Sequence, residues 1–297
     1  MDYEVFIDGK KLAASISGVQ ATDRQGAQAD DIRLLILNGA ELEVERGSVL
    51  KLSFGGFSSG DMNIDGISSN STNTQIVAVS VPLSAKEKHT RHWYKVMLFD
   101  IVNDMAVNLG MSVYYYGVEN YYYENVTQFN ETDLAFLNRL CSREGYSLKL
   151  DNNRLVIYNN EVIARAKAVK SIGQSDILEG RISFSESPNK VKAVTVKYFN
   201  GERLISHTAK RVGGGESIII KEYVSNDSEA ERFAKGYLNA YAQGDTTVDC
   251  LIPITDGIAA GNVIEFTDWA MFNGRYVIFE CCHDPEKNKT RLRGRKV

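Results

Sequence analysis

The chain has 297 residues, of which 43% are hydrophobic and 24% are charged, values typical of a folded globular protein and not of a disordered one. Its net charge of −4 argues against a bulk nucleic-acid-binding surface, because phosphate binding needs clustered lysine and arginine. The length predicts two domains or three small ones.

Membrane insertion and secretion are both disfavoured by the sequence. No apolar run approaches the roughly 20 residues that a membrane-spanning helix needs. The N-terminus, MDYEVFIDGKKL, carries charges where a signal peptide has its apolar core. We therefore expect synthesis and retention in the cytoplasm. Four cysteines are too few and too clustered for a disulfide framework.

The sequence up to Pro82 reads as short strands separated by turns. A hairpin is predicted to start at residues 4–7, followed by an Asp8-Gly9 turn. Further alternating strands are predicted at residues 32–37, 49–54 and 74–81. With glycines in the intervening turns, this pattern predicts a small antiparallel barrel or sandwich.

The middle of the chain differs in character. After Pro82, the charged stretch SAKEKHTRHW is interpreted as a solvated linker, and its His89 and His92 as surface residues. An amphipathic helix follows, with Gly110 as its stop. Its predicted apolar face consists of Leu98, Ile101, Val102, Met105 and Leu109.

A second helix and a hairpin complete this middle unit. Asn130 stands where an N-cap belongs, Asp133 can reach back to the free amides, and Gly145 can end the helix in a left-handed conformation. The apolar face is Leu134, Leu137, Leu140 and Cys141, with Phe136 beside it. The hairpin strands are predicted at residues 146–150 and 155–158, around the turn Asp151-Asn152-Asn153.

A tyrosine-rich segment lies between the two helices. Its members are Tyr114, Tyr115, Tyr116, Tyr121, Tyr122 and Tyr123. Two interpretations are open. The amphipathic rings are suited to binding sugar or protein, and they are equally suited to half-buried packing in strands and loops.

From about Ala166 the strand pattern resumes. Alternating strands are predicted at residues 191–198, 217–224 and 247–254. One helix interrupts them, capped by Asn226 or Ser228 and ended by Gly244. Its apolar face is Ala230, Phe233, Ala234, Tyr237, Leu238 and Tyr241. The basic residues near the C-terminus (Arg291, Arg293, Arg295 and Lys296) alternate like one exposed face of a terminal strand.

One short pattern occurs twice. Gly47-Ser48 precedes an alternating strand in the first part, and Gly261-Asn262 precedes another in the last part. We take this as a hint of two related barrels.

No catalytic, cofactor-binding or metal site is predicted. Cys281, Cys282 and His283 are adjacent, but zinc sites need spaced ligand pairs, and neighbouring strand residues point to opposite faces. Cys141 and Cys250 are interpreted as core thiols.

Three further stretches resemble functional sites only in part. The glycine-rich stretch at residues 211–217 lacks the Gly-Lys-Ser/Thr end of a phosphate-binding loop. The stretch with Asp61 and Asp65 lacks the terminal glutamate of a calcium loop. Asp30 and Asp31 have no hydrophobic setting that predicts a raised pKa.

The helix at residues 128–145 carries a family resemblance. Gln128, then a polar and acidic cap at Glu131 to Asp133, then Leu134, Phe136 and Leu137 resemble the motif of the late-control D family of phage tail hub proteins. Further matches are Ala29-Asp30-Asp31-Ile32, the strand after Gly47, Gly274-Arg275-Tyr276-Val277-Ile278, His283 and Thr290-Arg291-Leu292. The sequence departs from the family at residues 61–67, where an aromatic residue more often precedes the glycine.

The resemblance implies a β-rich α+β fold with two tube-like antiparallel β-barrels around a small helix-plus-hairpin domain. The expected domains are residues 1–84 (first barrel), 85–162 (α+β insertion domain) and 163–297 (second barrel). The same fold begins type VI secretion spike proteins.

The function implied by the resemblance is structural and non-enzymatic. The chain would form a homotrimeric baseplate hub of a contractile phage-like tail or bacteriocin particle, made in the bacterial cytoplasm. Its six barrels would adapt a hexameric tail tube to a trimeric spike, with other baseplate proteins and the tape measure protein as further partners. No specific nucleic-acid binding is expected.

Two other classes of function are alternatives to a structural hub. A phage enzyme such as a peptidoglycan hydrolase would need a catalytic carboxylate or a Cys/His pair, and neither is visible. A carbohydrate-binding or receptor-binding module of a phage tail is the alternative that the tyrosine-rich segment favours.

Overall fold

A computed structural model describes residues 2–37 and 42–297 of the chain. The N-terminal part is built from strands. These are β1 (Tyr3–Ile7), β2 (Lys10–Lys11), β3 (Ile16–Arg24), β4 (Asp31–Leu37), β5 (Val49–Phe54), β6 (Phe57–Ser58), β7 (Met62–Ser69) and β8 (Asn73–Val79).

The rest of the chain mixes strands and helices. The middle elements are β9 (Lys88–Met97), α1 (Leu98–Asn108), β10 (Ser112–Tyr116), β11 (Tyr122–Thr132), α2 (Asp133–Arg143), β12 (Tyr146–Asp151), β13 (Arg154–Asn159) and α3 (Asn160–Arg165). The last elements are β14 (Lys170–Ile172), β15 (Ile182–Glu186), β16 (Val191–Phe199), β17 (Leu204–Lys210), β18 (Glu216–Lys221), α4 (Asp227–Ala242), β19 (Thr246–Pro253), β20 (Val263–Phe266), β21 (Gly274–Asp284) and β22 (Lys289–Lys296).

The largest sheet runs through both ends of the chain. Its strand order is β15-β19-β22-β21-β3-β4-β8-β7-β5-β1-β2, with β20 and β14 added beside β21 and β6 beside β5. We call β1–β8 the first barrel, and β14, β15 and β19–β22 the second barrel. The two are joined by hydrogen bonds between β21 and β3.

Each barrel nevertheless has its own core. Val19, Ile36 and Leu50 belong to a buried cluster made by the first barrel. Ile252 and Phe266 belong to a separate cluster made by the second barrel. The β-rich α+β fold with two barrels, as predicted from the sequence, is confirmed. The pairing of β14 with β20 is parallel, unlike the antiparallel strands around it.

A third cluster holds the middle unit together and extends beyond it. It contains residues of α1, α2 and the β12–β13 hairpin, and also residues of β16, β17 and α4. The three-stranded sheet β17-β16-β18 and α4 therefore pack on the middle unit, although they lie within the range predicted for the second barrel. The boundaries at residues 84/85 and 162/163 remain a prediction.

The predicted helices are present with most of their predicted faces, but Tyr241, predicted on the apolar face of α4, is exposed. In α1 the side chains of Leu98, Ile101, Val102 and Met105 are buried, and in α2 so are those of Leu134, Phe136, Leu137, Leu140 and Cys141. Asn226 caps α4, its side chain accepting the N–H of Glu229 at 2.9 Å. Gly145 has a φ of 77°, as its place after α2 predicts.

Two predictions about the middle unit are wrong. The N-cap of α2 is Thr132, whose side chain accepts the N–H of Ala135 at 3.2 Å. Asn130 instead takes a φ of 48° at an irregularity in β11, a conformation that asparagine tolerates. The stretch interpreted as a linker is mostly strand β9, paired antiparallel with β11. Its polar residues fit a two-stranded ribbon with one face in solvent.

Candidate assembly interface at the junction of the two barrels

The turn before β5 has a defined hydrogen-bond pattern. Gly47 has a φ of 98°, which glycine adopts without steric cost. Its N–H donates to the carbonyl oxygen of Ile64 at 2.8 Å, and the N–H of Ile64 donates to the carbonyl oxygen of Ser48 at 2.9 Å. This reciprocal pair of bonds ties the start of β5 to β7.

The turn before β20 repeats that pattern in the second barrel. Gly261 has a φ of 91°. Its N–H donates to the carbonyl oxygen of Ile278 at 2.7 Å, and the N–H of Ile278 donates to the carbonyl oxygen of Asn262 at 2.9 Å. The spacing from glycine to isoleucine is the same in both barrels. The predicted relation between Gly47 and Gly261 is confirmed as repeated backbone geometry.

The two barrels also share a strand order. The first barrel runs β3-β4-β8-β7-β5-β1, and the second runs β15-β19-β22-β21-β20-β14. Their registers shift at the same place, after Ile64 in β7 and after Ile278 in β21. The outermost pair differs, since β1 pairs antiparallel with β5 whereas β14 pairs parallel with β20. The chain therefore contains one strand arrangement twice.

A row of ion pairs crosses the β21–β3 junction. Nε of Arg24 lies 3.4 Å from one carboxylate oxygen of Glu280, and Nη1 of Arg293 lies 3.3 Å from the other. Arg24 also pairs with Asp31 on β4, and Arg293 with Asp249 on β19. Because each charge bridges neighbouring strands, the row links β19, β22, β21, β3 and β4.

A buried ion pair below this row joins three parts of the fold. Nζ of Lys149, on β12, lies 2.6 Å from a carboxylate oxygen of Asp23 on β3 and donates to the carbonyl oxygen of Ala260 at 2.9 Å. Asp23 also accepts the N–H of Ala260 at 2.7 Å. The hairpin of the middle unit is thereby fixed to both barrels.

Asp30 lies beside this cluster and corrects a sequence-based expectation. Burial, followed by the negative charge of Asp23, raises the pKa of Asp30 well above its ordinary value. The sequence predicted no such shift. The enclosing residues, such as Lys149 on the hairpin, are far away along the chain, so the local sequence around Asp30 gives no sign of them.

A cavity of about 320 Å³ opens between the barrels next to Asp30. Its lining includes Asp23, Asp30, Asp31, Asp256, Phe54, Phe57 and His283. Nδ1 of His283 lies 2.8 Å from Oγ1 of Thr290, and its ring contacts those of Phe54 and Phe57. Burial lowers the pKa of His283 to about 4, so the imidazole is neutral at pH 7 and serves in packing.

The cysteines have the environment of core thiols. Cys281 is fully buried and Cys282 is half-buried, as expected for neighbours on opposite faces of β21. Burial raises the pKa of both thiols, and it raises the pKa of Cys141 and of Cys250 to about 12. Thiolate is the nucleophilic form, so these side chains are poorly suited to catalysis. Within residues 2–37 and 42–297, no cluster of His, Cys, Asp and Glu is arranged to hold a metal.

The residues that carry the family resemblance form a buried polar network. The Nε2 atom of Gln128 donates to a carboxylate oxygen of Asp133 at 2.8 Å and to the carbonyl oxygen of Glu131 at 3.0 Å. Asp133 also accepts from Arg91 at 3.1 Å and shares a hydrogen bond with His89 at 3.0 Å. His89, interpreted as a surface residue, is therefore half-buried. The network fixes the start of α2 against β9 and β11.

A second charged cluster, not found by sequence reasoning, lies between α2 and α4. Arg143 donates to Glu222 at 2.8 Å, and Arg232 donates to Glu144 at 2.5 Å. The hydroxyl of Tyr123 donates to Glu144 at 2.6 Å. Arg143 and Glu144 end α2, where the sequence shows only a helix terminus. Their partners become visible only when the chain is folded.

In the tyrosine-rich segment some rings are packed inside the fold and others are exposed, so each of the two interpretations fits part of it. Tyr123 is fully buried, and Tyr115 stacks on Phe99 with ring centroids 3.8 Å apart. Tyr114, Tyr116 and Tyr122 are exposed. Packing therefore accounts for some rings, and the exposed ones leave a surface that can contact a partner.

Asp61 and Asp65, in the stretch that lacks the glutamate of a calcium loop, both form ion pairs. Asp61 lies 3.0 Å from Nζ of Lys51, and Asp65 lies 2.6 Å from Nζ of Lys86. The hydrogen bond from Lys86 lowers the pKa of Asp65. Asp61 precedes β7 and Asp65 lies within it, so these contacts connect β7 to β5 and to the segment after β8.

The chain is similar to proteins of known structure. No family model and no curated protein sequence matches the chain. In the described part of the chain, no helix is long and apolar enough to span a membrane.

Three solved structures illustrate the fold. A 43 kDa tail protein of prophage MuSo2 from Shewanella oneidensis is 14% identical with a TM-score of 0.77, over 100% of this chain and 98% of that one. A tail protein from Neisseria meningitidis is 13% identical with a TM-score of 0.78, over 100% of this chain and 97% of that one. The E. coli c3393 protein, a type VI secretion component with similarity to bacteriophage tail proteins, is 10% identical with a TM-score of 0.69, over 99% and 76%. The chain thus has the fold of phage tail and type VI spike-related proteins.

Proposed function

We propose that this chain is a structural baseplate hub of a contractile phage-like tail or bacteriocin particle. In this proposal three copies form a ring that joins a hexameric tail tube to a trimeric spike. The observation that carries the proposal is the doubled barrel: two copies of one strand arrangement lie edge to edge within one chain. Three such chains supply six barrels, which is the number that a six-fold tube meets.

The solved relatives support the same role. Those from Shewanella oneidensis and Neisseria meningitidis are tail proteins, and the E. coli c3393 protein is a type VI secretion component. Each match extends over nearly the whole of this chain, so the resemblance involves the entire arrangement and not one barrel alone. We infer a particle component with other baseplate proteins and the tape measure protein as neighbours.

The proposed role is non-enzymatic. At the junction, Lys149 pairs with Asp23 and Arg24 pairs with Glu280, while His283 is neutral and lies against two aromatic rings. Such groups hold elements together. In the same proposal, residues 1–84 and 163–297 provide the barrels and residues 85–162 the intervening α+β domain. Residues 187–242 form an insertion in the second barrel that packs on that domain.

Deletion of the gene in a particle-producing host tests this function. A hub is needed to start tail assembly, so electron microscopy should find no contractile particles with complete baseplates. Complementation with the wild-type gene should restore them. Normal contractile particles from the deletion strain would overturn the assignment.

A second candidate is favoured by the exposed rings of Tyr114, Tyr116 and Tyr122. A carbohydrate-binding or receptor-binding module of a tail would use such rings. Its deletion would leave intact particles that fail to adsorb to cells. The same experiment therefore separates the two functions.

A further inference from the structure

We propose that copies of this chain join through antiparallel pairing of β7 in one copy with β15 in the next. The pairing would have the register that β21 and β3 adopt within one chain. This inference rests on the proposed function, which places several copies in one ring. It identifies the contact surface as two strand edges and the partner as a second copy of this chain.

Because the barrel is repeated, β7 and β15 are equivalent to β21 and β3, which already pair within one chain. β7 occupies in the first barrel the place that β21 occupies in the second, because both carry the same turn contact and register shift. β15 occupies the place of β3, since each is the first strand in its barrel's order. A pairing between β7 and β15 thus repeats the β21–β3 junction between chains.

Both edges are open where this pairing would form. In the part of the chain that the structure describes, β15 pairs with β19 on one side only. β7 pairs with β5 only at Asn63 and Met62, and Ile64 is hydrogen-bonded to the turn before β5. Among the described residues, 66–69 therefore have no strand partner on the side away from β8. Unpaired edges of this kind are templates for another strand.

The register follows from the intrachain junction. Cys282 faces Thr22 there, and the equivalent residues are Ser68 on β7 and Ser185 on β15. Cys281 faces Asp23, and the equivalent residues are Ile67 on β7 and Glu186 on β15. Cys281 is fully buried whereas Ile67 is 41% exposed. The pairing would therefore place Glu186 opposite Ile67 and cover part of an apolar side chain that is now exposed.

The local chemistry at the open edges suits the contact. Ser68 and Ser185 place two hydroxyls opposite each other, as Oγ1 of Thr22 and Sγ of Cys282 lie opposite within the chain. The N–H of Gln25 donates to Phe279 at the end of the intrachain junction. The equivalent of Gln25 is Pro188, which has no N–H. The interchain pairing would therefore end one bond earlier.

This contact is head-to-tail, since one edge meets a different edge of the next copy. Such contacts close into a ring when the rotation per copy allows it. In the resulting ring, junctions within chains would alternate with junctions between chains. Every barrel would then have both of its lateral edges paired.

A cysteine pair tests the register. Side chains directly opposite on antiparallel strands have Cβ atoms about 4.5–5.5 Å apart, close to what a disulfide requires. We expect Ser68→Cys combined with Ser185→Cys to give dimers and larger cross-linked species on non-reducing gels. The background variant Cys282→Ser removes the native thiol that is not fully buried. The matched control is Ser69→Cys with Ser185→Cys, because a slip of one residue turns the side chain to the other face.

The outcomes separate this inference from the proposed function. Cross-links in the opposed pair and not in the control support the junction. Light scattering that shows oligomers, without a disulfide between positions 68 and 185, would overturn the junction and leave the hub proposal standing. A chain that neither self-associates nor cross-links, even when it is co-expressed with its particle, would overturn both.

A charge substitution gives an independent readout. Ile67→Asp should weaken self-association, because it places a carboxylate directly opposite that of Glu186 on the next copy. Its melting temperature as a monomer should be unchanged, since Ile67 is partly exposed there. Ile219→Asp is the control, on an isoleucine that is 56% exposed on β18. Wild-type association by Ile67→Asp would contradict the proposed contact.

Discussion

The two barrels share a strand order but differ in one connection. In the first barrel, β3 reaches β4 through residues 25–30. In the second, β15 reaches β19 through residues 187–245, which contain β16, β17, β18 and α4. The N–H of Ser187 donates to the carbonyl oxygen of Asp245 at 2.8 Å and holds the ends of this insertion together. The connection between two barrel strands can therefore hold a large insertion, because the first and last residues of the insertion lie next to each other.

This difference determines how each barrel is attached to the middle unit. The hairpin reaches the junction of the barrels through Lys149 and its ion pair with Asp23. The insertion reaches the middle unit from the second barrel, with α4 packed on α2. One attachment is a buried charge pair, and the other is a helix contact with close backbone approach. Substitutions can separate their contributions.

The largest effect is expected at the charge pair. Lys149→Met leaves Asp23 buried without its cation, which typically costs about 3–5 kcal/mol in the free energy of unfolding. Lys51→Met removes an exposed partner of Asp61 and should cost less than about 1 kcal/mol. Urea denaturation measures both. Equal losses would show that the hairpin attachment does not depend on the Lys149 pair.

The second largest loss of stability is expected in the core that the middle unit shares with the insertion. Leu137 of α2 is fully buried, and truncation of a buried leucine to alanine typically costs about 2–5 kcal/mol. Arg139 lies on the outer side of α2 and pairs with Glu131 at 2.6 Å. Arg139→Ala should therefore cost about 1 kcal/mol or less. Similar melting temperatures for the two variants would contradict the assigned helix face.

The helix contact of the insertion depends on a glycine. A Cβ atom at Gly236 of α4 would come within 2.0 Å of the carbonyl oxygen of Arg143. Gly236→Ala should push α4 from α2 and cost about 1–3 kcal/mol. At Gly244 the nearest atom would be 3.8 Å away, so Gly244→Ala is the control. Thermal unfolding that is unchanged by Gly236→Ala would mean that α4 can shift freely on α2.

Local patterns were sufficient to predict much of this fold. Helix faces such as that of Leu134 and Leu137 follow from spacing alone, and the repeat at Gly47 and Gly261 follows from a turn glycine before an alternating strand. The prediction that Asn130 caps α2 is wrong, because asparagine suits both an N-cap and a left-handed residue in an irregular strand.

The ion pairs at the barrel junction and between α2 and α4 could not be predicted in the same way. Asp23 meets Lys149, and Arg143 meets Glu222, across long stretches of sequence. Residues 187–242 read as strands and a helix, but nothing in their pattern says which core they join. Pairing between distant segments depends on the three-dimensional arrangement, which a single sequence does not encode locally.

The smallest effect at neutral pH is expected at His283, which lies beside the cavity between the barrels. Burial lowers its pKa from 6.5 to about 4, so the unfolded chain binds a proton more readily than the folded chain between these values. Its contribution to stability is therefore complete above pH 6.5 and is lost as the pH falls through 4. His283→Gln should have a shallower decline of stability across that range than the wild type. His92→Gln, at an exposed histidine, is the control for the substitution itself. Parallel profiles for His283→Gln and the wild type would contradict a buried neutral imidazole at the junction of the two barrels.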